Sequence, residues 1–250
     1  MSYLDPSRAQ VFGGYAEDYE RLRPGYPDDA VNWLVPLGAT RVADVGAGTG
    51  KLTSALLARG LQVAAIEPDA EMLAVLTRLH PRAEPYRSGA DALPLGPASV
   101  DAVFAAQAWH WFPHQQAAEE VRRVLRPGGW LGLIWNIEEP REAWQVELSR
   151  LDPDTRGGEV GVHRESGGKA AVTGLPEDEL EVARFPWTCA TTAVKLRARL
   201  ATHSAYVVMD AQRREYLLDA ATAVVAAEAA RLGTEVVPLS MASYCIRWRP

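Results

Sequence analysis

The stretch Val42–Gly50, VADVGAGTG, constrains this chain more than any other feature. A short apolar run, Arg41–Val45, passes through Asp44 and ends in three glycines at alternate positions, Gly46, Gly48 and Gly50. Residues at helical spacing follow: Leu52, Ala55, Leu56 and Arg59, stopped by Gly60. Glycine adopts dihedrals that other residues resist and lets a ligand approach the main chain. The helix start adds free N–H groups and the positive end of a dipole. Strand, glycine turn and helix in this order predict a site for a nucleotide-like ligand. The spacing narrows the choice. A dinucleotide fingerprint needs a third glycine at position 51, where this chain carries Lys51. A phosphate-cradling GxxxxGK[ST] loop is also damaged, because Gly50 follows Gly46 one residue too soon and Leu52 replaces Ser or Thr. A turn that holds a carboxylate fits better than one that holds a pyrophosphate.

The rest of the first half repeats the alternation. Gln62–Ile66, Ala83–Arg87, Val100–Ala106 and Trp130–Trp135 read as further strands. Helical spacing separates them at Met72, Leu73, Leu76 and Leu79, and again up to Val121, Val124 and Leu125. Near-continuous apolar strands alternating with helices predict a parallel sheet covered on both faces. Beyond residue 138 the rhythm breaks. Asp152–Gly174 reads as loop, followed by a strand near Val182–Trp187, helices near Thr192–Ala201 and Asp210–Leu232, and a terminal strand Ala242–Trp248. The expected organisation is one domain over 1–250: an N-terminal lid at 1–37, a binding core at 38–137, a substrate-cap region at 138–210, and a C-terminal helix and strand at 211–250 that complete the sheet.

Composition bounds the partners. The net charge is −6, which argues against nucleic acid, whose binders display a basic face. The basic clusters Arg122, Arg123, Arg126 and Lys195, Arg197, Arg199 read as solvated helix faces. Cys189 and Cys245 lie in no CxxC pair and near no histidine at metal spacing, so buried reduced thiols and no metal are expected. The N-terminus lacks a signal pattern and no window approaches a membrane span. A cytoplasmic protein, monomer or homodimer, with no membrane partner is expected.

Glu67 ends the second apolar run, where a carboxylate can accept both hydroxyls of a ribose. The combination of VADVGAGTGKLT (42–53), VAAIEPDAEML (63–73), GADALPLGPASVDAVFAAQAWHWF (89–112) and EEVRRVLRPGGWLGLIW (119–135) resembles the small-molecule branch of the class I S-adenosylmethionine-dependent methyltransferases, the group that includes ubiquinone-biosynthesis and trans-aconitate methyltransferases. The resemblance implies a Rossmann-like, doubly wound, mostly parallel seven-stranded sheet with helices on both faces and an N-terminal helical lid. It implies S-adenosylmethionine as cofactor and S-adenosylhomocysteine as product. It places the methionine part over Gly46, Ala47, Gly48 and Gly50, with Asp44 at the base of the turn, and puts Glu67 on the ribose. It sets Pro68 and Met72 beside the adenine, and gives Asp91 and the Ala92 N–H the adenine's polar edge. Gln107 falls near the sulfonium, and Arg126–Gly129 forms a structural turn. The segment Phe12–Pro27 resembles the family's cofactor cover, with Tyr15, Tyr19 and Arg23 as candidate contacts or as a packed aromatic helix.

Methyl transfer is a displacement whose leaving group is already good, so alignment and exclusion of water are the main tasks. A base is needed only when the nucleophile carries a proton. His110, following the fourth strand, is the candidate base; ordering the turn is its structural alternative. His114, His163 and His203 are weaker candidates, and His80 reads as solvent-facing. Arg164, His163 and Lys169 are candidates to meet an anionic substrate, and Trp144 and Tyr206 read as pocket walls or core. The expected activity is methyl transfer to O, N or C of a small molecule. The rival is a cofactor-binding protein that moves no methyl group. A nucleic-acid methylase is disfavoured, because Gln107-Ala108-Trp109-His110 stands where an Asn/Asp-Pro-Pro-aromatic tetrapeptide would.

Overall fold

The computed structural model describes residues 16–153 and 173–250, and the first described helix is α1 (Ala16–Leu22). Tyr15, His163, Arg164 and Lys169, and most of the Asp152–Gly174 loop, lie outside the described residues. Seven strands form one sheet: β1 (Arg41–Val45), β2 (Gln62–Ile66), β3 (Glu84–Tyr86), β4 (Val100–Ala106), β5 (Leu125–Glu138), β6 (Leu180–Thr191) and β7 (Val237–Trp248), in the order β3-β2-β1-β4-β5-β7-β6. The run from β3 to β5 is parallel throughout, and one antiparallel pair occurs in the sheet. This is the doubly wound, mostly parallel class that the strand pattern predicts. β1, β2 and β4 carry the boundaries read from sequence, because a strand buried on both faces is a continuous apolar run.

The chain gathers into two compact units. One comprises Gly25–Asn136, Gly167–Phe185 and Ser243–Pro250. Its core is built from Val42, Val63, Ala65, Ala102, Phe104 and Ile134 of the strands. Leu34 of α2 (Asp28–Leu34), Leu52 and Leu56 of α3 (Lys51–Ala58) and Leu76 of α4 (Ala70–Leu79) pack on them. Cys245 belongs to this core, and burial pushes its thiol up to about 12. β5 is longer than its apolar stretch. Leu125 already pairs with Val100 and Trp130 with Ala102, so Arg126–Gly129 is a turn looped out within the strand rather than a turn before it.

The other unit comprises Met1–Pro24, Ile137–Ser166 and Pro186–Ala242. Its core joins Trp144 and Leu148 of α6 (Ala143–Leu151), which follows α5 (His114–Val124), to Leu196 and Leu200 of α7 (Ala193–Ala201) and Leu217, Leu218, Ala221 and Val225 of the long helix Ala211–Leu232. Trp144 and Tyr206 are members of this core. Asp210 caps the long helix by accepting from the Arg213 N–H, and Gly233 ends it with φ 66°. No helix among the described residues is long and apolar enough to cross a membrane.

Candidate functional site

The glycine turn forms because β1 runs out in a backbone that only glycine adopts cheaply. Gly46 and Gly48 sit at φ 67° and 56°, in the left-handed region. The turn is pinned to β2 by the Gly46 and Ala47 N–H groups, which donate to the Ile66 carbonyl at 2.8 and 3.1 Å. The two glycines differ in surroundings. A methyl group at Gly46 would lie 2.7 Å from Ala108 Cβ and 2.9 Å from Phe112 Cζ, so the turn after β4 is seated directly on Gly46. A methyl group at Gly48 would meet nothing within 4 Å among the described residues, which leave that side of the turn open.

Glu67 is directed at this turn. Its Oε2 accepts from the Gly48 N–H at 2.8 Å and its Oε1 from the Asp69 N–H at 2.9 Å. It is 8% exposed, and burial raises its carboxyl above the usual range. Two of its four lone-pair sites remain for a ligand. Asp69 caps α4 by accepting from Glu71 N and Met72 N, which brings the buried Met72 into the first turn of that helix. The Pro68 carbonyl accepts from Arg87 Nε at 3.3 Å.

Asp44, wholly buried, accepts from Thr53 Oγ1 at 2.6 Å through one oxygen; the other meets no donor among the described residues. Burial drives its carboxyl from 3.8 up to about 7, the Thr53 hydrogen bonds offset part of that, and the negative Glu67 adds to it. The folded chain therefore holds this proton more tightly than the unfolded chain. Its contribution to stability is complete below 3.8 and is lost as the pH rises through about 7. Asp44→Asn is expected to flatten this decline in denaturation curves of the ligand-free protein recorded across that window. A profile unchanged by the substitution would remove Asp44 as its source.

Gln107 leaves β4 at φ 56°, unusual for a residue with a side chain. It is held on both sides: its N–H donates to the Ile134 carbonyl at 2.9 Å, and its Nε2 to the Asn136 carbonyl at 3.1 Å. Asn136 in turn accepts from Ser243 Oγ at 2.6 Å. The single helical turn Trp109–Trp111 follows, with Trp109 buried and His110 within it. His110 Nδ1 accepts from the Trp135 indole at 3.2 Å. His114 stacks on Trp109 at 6.0 Å, and burial lowers its pKa.

Asp91 and Ala92 stand exposed on the loop after β3. That loop is clamped to α5, where Glu120 accepts from the Leu93 N–H at 2.7 Å and Arg123 donates to the Leu93 and Leu95 carbonyls. Arg123 is thus a loop clamp, Arg126 pairs with Asp101 at 2.7 Å, and Arg122 lies over the Trp248 ring. Arg122 and Arg126 are exposed, as a solvated basic face implies, but each of the three arginines also makes a structural contact. His80 is likewise not solvent-facing, since its ring fills the space beside Gly50. Tyr19 and Arg23 belong to the other unit. There Arg23 lies over the Tyr19 ring and donates to Thr202 Oγ1 at 3.3 Å. His203, in the same unit, is held neutral by burial, with Arg23 and Arg199 reinforcing this.

The structure thus joins Asp44, the glycine turn, Glu67, Gln107 and the His110 turn around the ends of β1, β2 and β4. Thr53, Asn136 and Trp135 are members that the sequence reading missed. Only Thr53 had a local signal, one helical turn after the glycines.

The family model described as a methyltransferase domain matches residues 43–133. An uncharacterized methyltransferase of Mycobacterium tuberculosis is 40% identical over 238 residues, 94% of each chain. An uncharacterized methyltransferase of Schizosaccharomyces pombe is 38% identical over 146 residues, 56% of this chain and 58% of that protein. Among solved structures, a type II methyltransferase from Anaeromyxobacter dehalogenans matches 90% of this chain and 96% of its own, at 29% identity and a TM-score of 0.65. With this fold and these relatives, the chain belongs to the class I S-adenosylmethionine-dependent methyltransferases.

Proposed function

We propose that this enzyme transfers a methyl group from S-adenosylmethionine to an O, N or C atom of a small molecule, using the site at the ends of β1, β2 and β4. The observation that carries the proposal is the donor set around the glycine turn. Among the described residues, Asp44 offers a buried carboxylate oxygen without a donor, Glu67 offers unused lone pairs, and Gly48 leaves open space beside the turn. Two carboxylates beside one turn repel a pyrophosphate. They suit a ligand that brings an ammonium and a ribose diol. These residues fit S-adenosylmethionine.

In this reading Glu67 accepts from the ribose hydroxyls while continuing to hold the Gly48 and Asp69 N–H groups. Asp44 balances the ammonium charge from the base of the turn. Gly46, Ala47, Gly48 and Gly50 give the methionine part its backbone bed. Pro68, Met72, Asp91 and Ala92 receive the adenine, the last two on a loop that the Glu120–Arg123 pair keeps still. When bound, the cofactor supplies a methyl group on a sulfonium, which leaves readily. Gln107 holds the strand end, so that His110 is the polar side chain this turn presents to the acceptor. Alignment and exclusion of water are then the protein's main contributions.

Calorimetric titration with S-adenosylhomocysteine, followed by incubation with methyl-labelled S-adenosylmethionine and a panel of small carboxylic acids, phenols and amines, tests the proposal. Saturable binding and label in at least one product are expected. Binding without transfer to any acceptor would favour a cofactor-binding protein, and absence of binding would remove the site assignment.

A further inference from the structure

On the loop after β3, two polar groups stand without a partner between residues that are firmly held. The Asp91 carboxylate and the Ala92 N–H have no hydrogen-bond partner among the described residues, and both residues are exposed. Their neighbours are fixed. Ala90, Leu93 and Leu95 are buried. Ser88 Oγ donates to the Ala92 carbonyl at 2.6 Å. From α5, Glu120 Oε2 accepts from the Leu93 N–H at 2.7 Å, and Arg123 donates to the Leu95 carbonyl at 2.6 Å and to the Leu93 carbonyl at 2.9 Å. These two side chains are themselves joined as a fork. Arg123 Nε and Nη2 donate to the two carboxylate oxygens of Glu120, each at 2.6 Å. Arg123 holds the Glu120 carboxyl below the usual carboxylate range, so the pair stays charged at neutral pH. Asp91 is placed as well. A methyl group at Gly89 would lie 2.5 Å from Asp91 Oδ1, so this carboxylate folds back over Gly89.

We propose that Glu120 and Arg123 are positioning residues for base recognition: through the loop they pin, they hold the Asp91 carboxylate and the Ala92 N–H at the spacing that selects adenine over a base of reversed hydrogen-bond pattern. This rests on the methyl-transfer reading, in which those two groups meet the adenine edge. A carboxylate accepts and an N–H donates, while adenine offers an amino donor beside a ring-nitrogen acceptor. Hypoxanthine reverses both, with a carbonyl oxygen in place of the amino group and an N–H in place of the lone pair. A fixed pair of groups rejects the reversed pattern, because each is left facing its like. A loop free to shift turns Asp91 aside and admits either base. Neither Glu120 nor Arg123 needs to touch the ligand for this. Lysine is no substitute for Arg123, since a single ammonium cannot hold both Glu120 oxygens and two loop carbonyls in one plane.

Calorimetric titration with S-adenosylhomocysteine and with its deaminated analogue, S-inosylhomocysteine, tests this. The wild type is expected to prefer the adenine form by about 10-fold or more, the order expected when a hydrogen bond to a charged group is lost. Arg123→Lys keeps the charge and loses the fork, and most of that preference should disappear through weaker binding of S-adenosylhomocysteine. Where Arg123→Lys fails to fold, Glu120→Gln takes its place, since it keeps the size and one acceptor oxygen. Asp91→Ala should lose the preference too. The double variant Asp91→Ala with Arg123→Lys should bind little more weakly than Asp91→Ala, because residues that act through one contact do not add. A preference unchanged by Arg123→Lys or Glu120→Gln, or losses that simply add in the double variant, would overturn the positioning role. A preference retained by the wild type and the clamp variants alike leaves the methyl-transfer reading standing and overturns this proposal alone. A wild type that binds neither nucleoside removes that reading, and the proposal with it.

Discussion

Gly46→Ala is expected to be among the most damaging single changes in the chain, lowering stability by about 2–5 kcal/mol. Two costs add. A side chain in the left-handed region costs about 1–2 kcal/mol, and forcing a methyl group into a filled space typically costs about 1–3 kcal/mol. The second cost arises from particular atoms, Ala108 Cβ at 2.7 Å and Phe112 Cζ at 2.9 Å. Relief requires the turn after β4 to back away from the turn after β1, which moves His110 relative to the glycine bed. Gly48→Ala supplies the comparison. It carries the same backbone strain at φ 56° but meets nothing within 4 Å among the described residues, so only about 1–2 kcal/mol of stability should be lost. Its effect should fall on the ligand, because the methyl group occupies the open side of the turn. Chemical denaturation of the two variants and titration with S-adenosylhomocysteine separate the cases. A Gly46→Ala protein as stable as the wild type would show that the seat on Gly46 is soft. A Gly48→Ala protein with undiminished affinity would move the ligand away from that face.

The contrast between the two glycines marks what a sequence can reveal. That both lie in a turn before a helix follows from local pattern. Which one is packed and which is open depends on a segment some 60 residues away in the chain, and no local rule reports it. The strands divide in the same way. β1, β2 and β4 are mostly apolar because they are covered on both faces, and their ends are legible to the residue even though polar residues such as Arg41, Gln62 and Asp101 stand at or near their starts. β3 is three residues with little burial, and its limits are faint. β5 begins five residues before its apolar stretch, since Arg126–Gly129 is chemically a turn and leaves no sign that Leu125 is already paired. β7 likewise starts at Val237, where Pro238 masks the strand pattern.

The site shows a similar limit. Glu67 announces itself by position, at a strand end after the glycine turn. Trp135 and Asn136 do not, because their roles are set by partners 25 and 107 residues away. A tryptophan at the end of an apolar strand reads as core, and Trp135 is indeed buried. Its single polar atom is what bears on chemistry, and only the fold shows where that atom points. Arg123 fails in the opposite sense. It looks like surface charge, yet it spans Glu120 and the carbonyls of Leu93 and Leu95 and so fixes the loop after β3.

Glu67→Ala should lower the affinity for S-adenosylhomocysteine by about 100-fold, close to 3 kcal/mol, since hydrogen bonds to a charged group contribute about 1.5–3 kcal/mol each. The side chain has two duties that must be told apart. It braces the turn by accepting from Gly48 N and Asp69 N, and in the proposed complex it accepts from the ribose hydroxyls. Loss of the brace alone would appear in the ligand-free protein, as a lower denaturation midpoint. Loss of the ribose contact appears only on titration. Glu67→Gln sharpens the test. The amide keeps the size but offers one acceptor oxygen in place of two, so it can satisfy one of the two backbone donors and sets an NH2 against the other. Its ligand-free stability should fall at least as far as that of Glu67→Ala, where water can enter to meet the exposed N–H groups. Its affinity should fall as well, because an amide cannot match a carboxylate for two hydroxyl donors. A Glu67→Ala protein that loses stability but binds S-adenosylhomocysteine as tightly as the wild type would assign Glu67 to the turn alone, and the ribose would then have to be held by another part of the site.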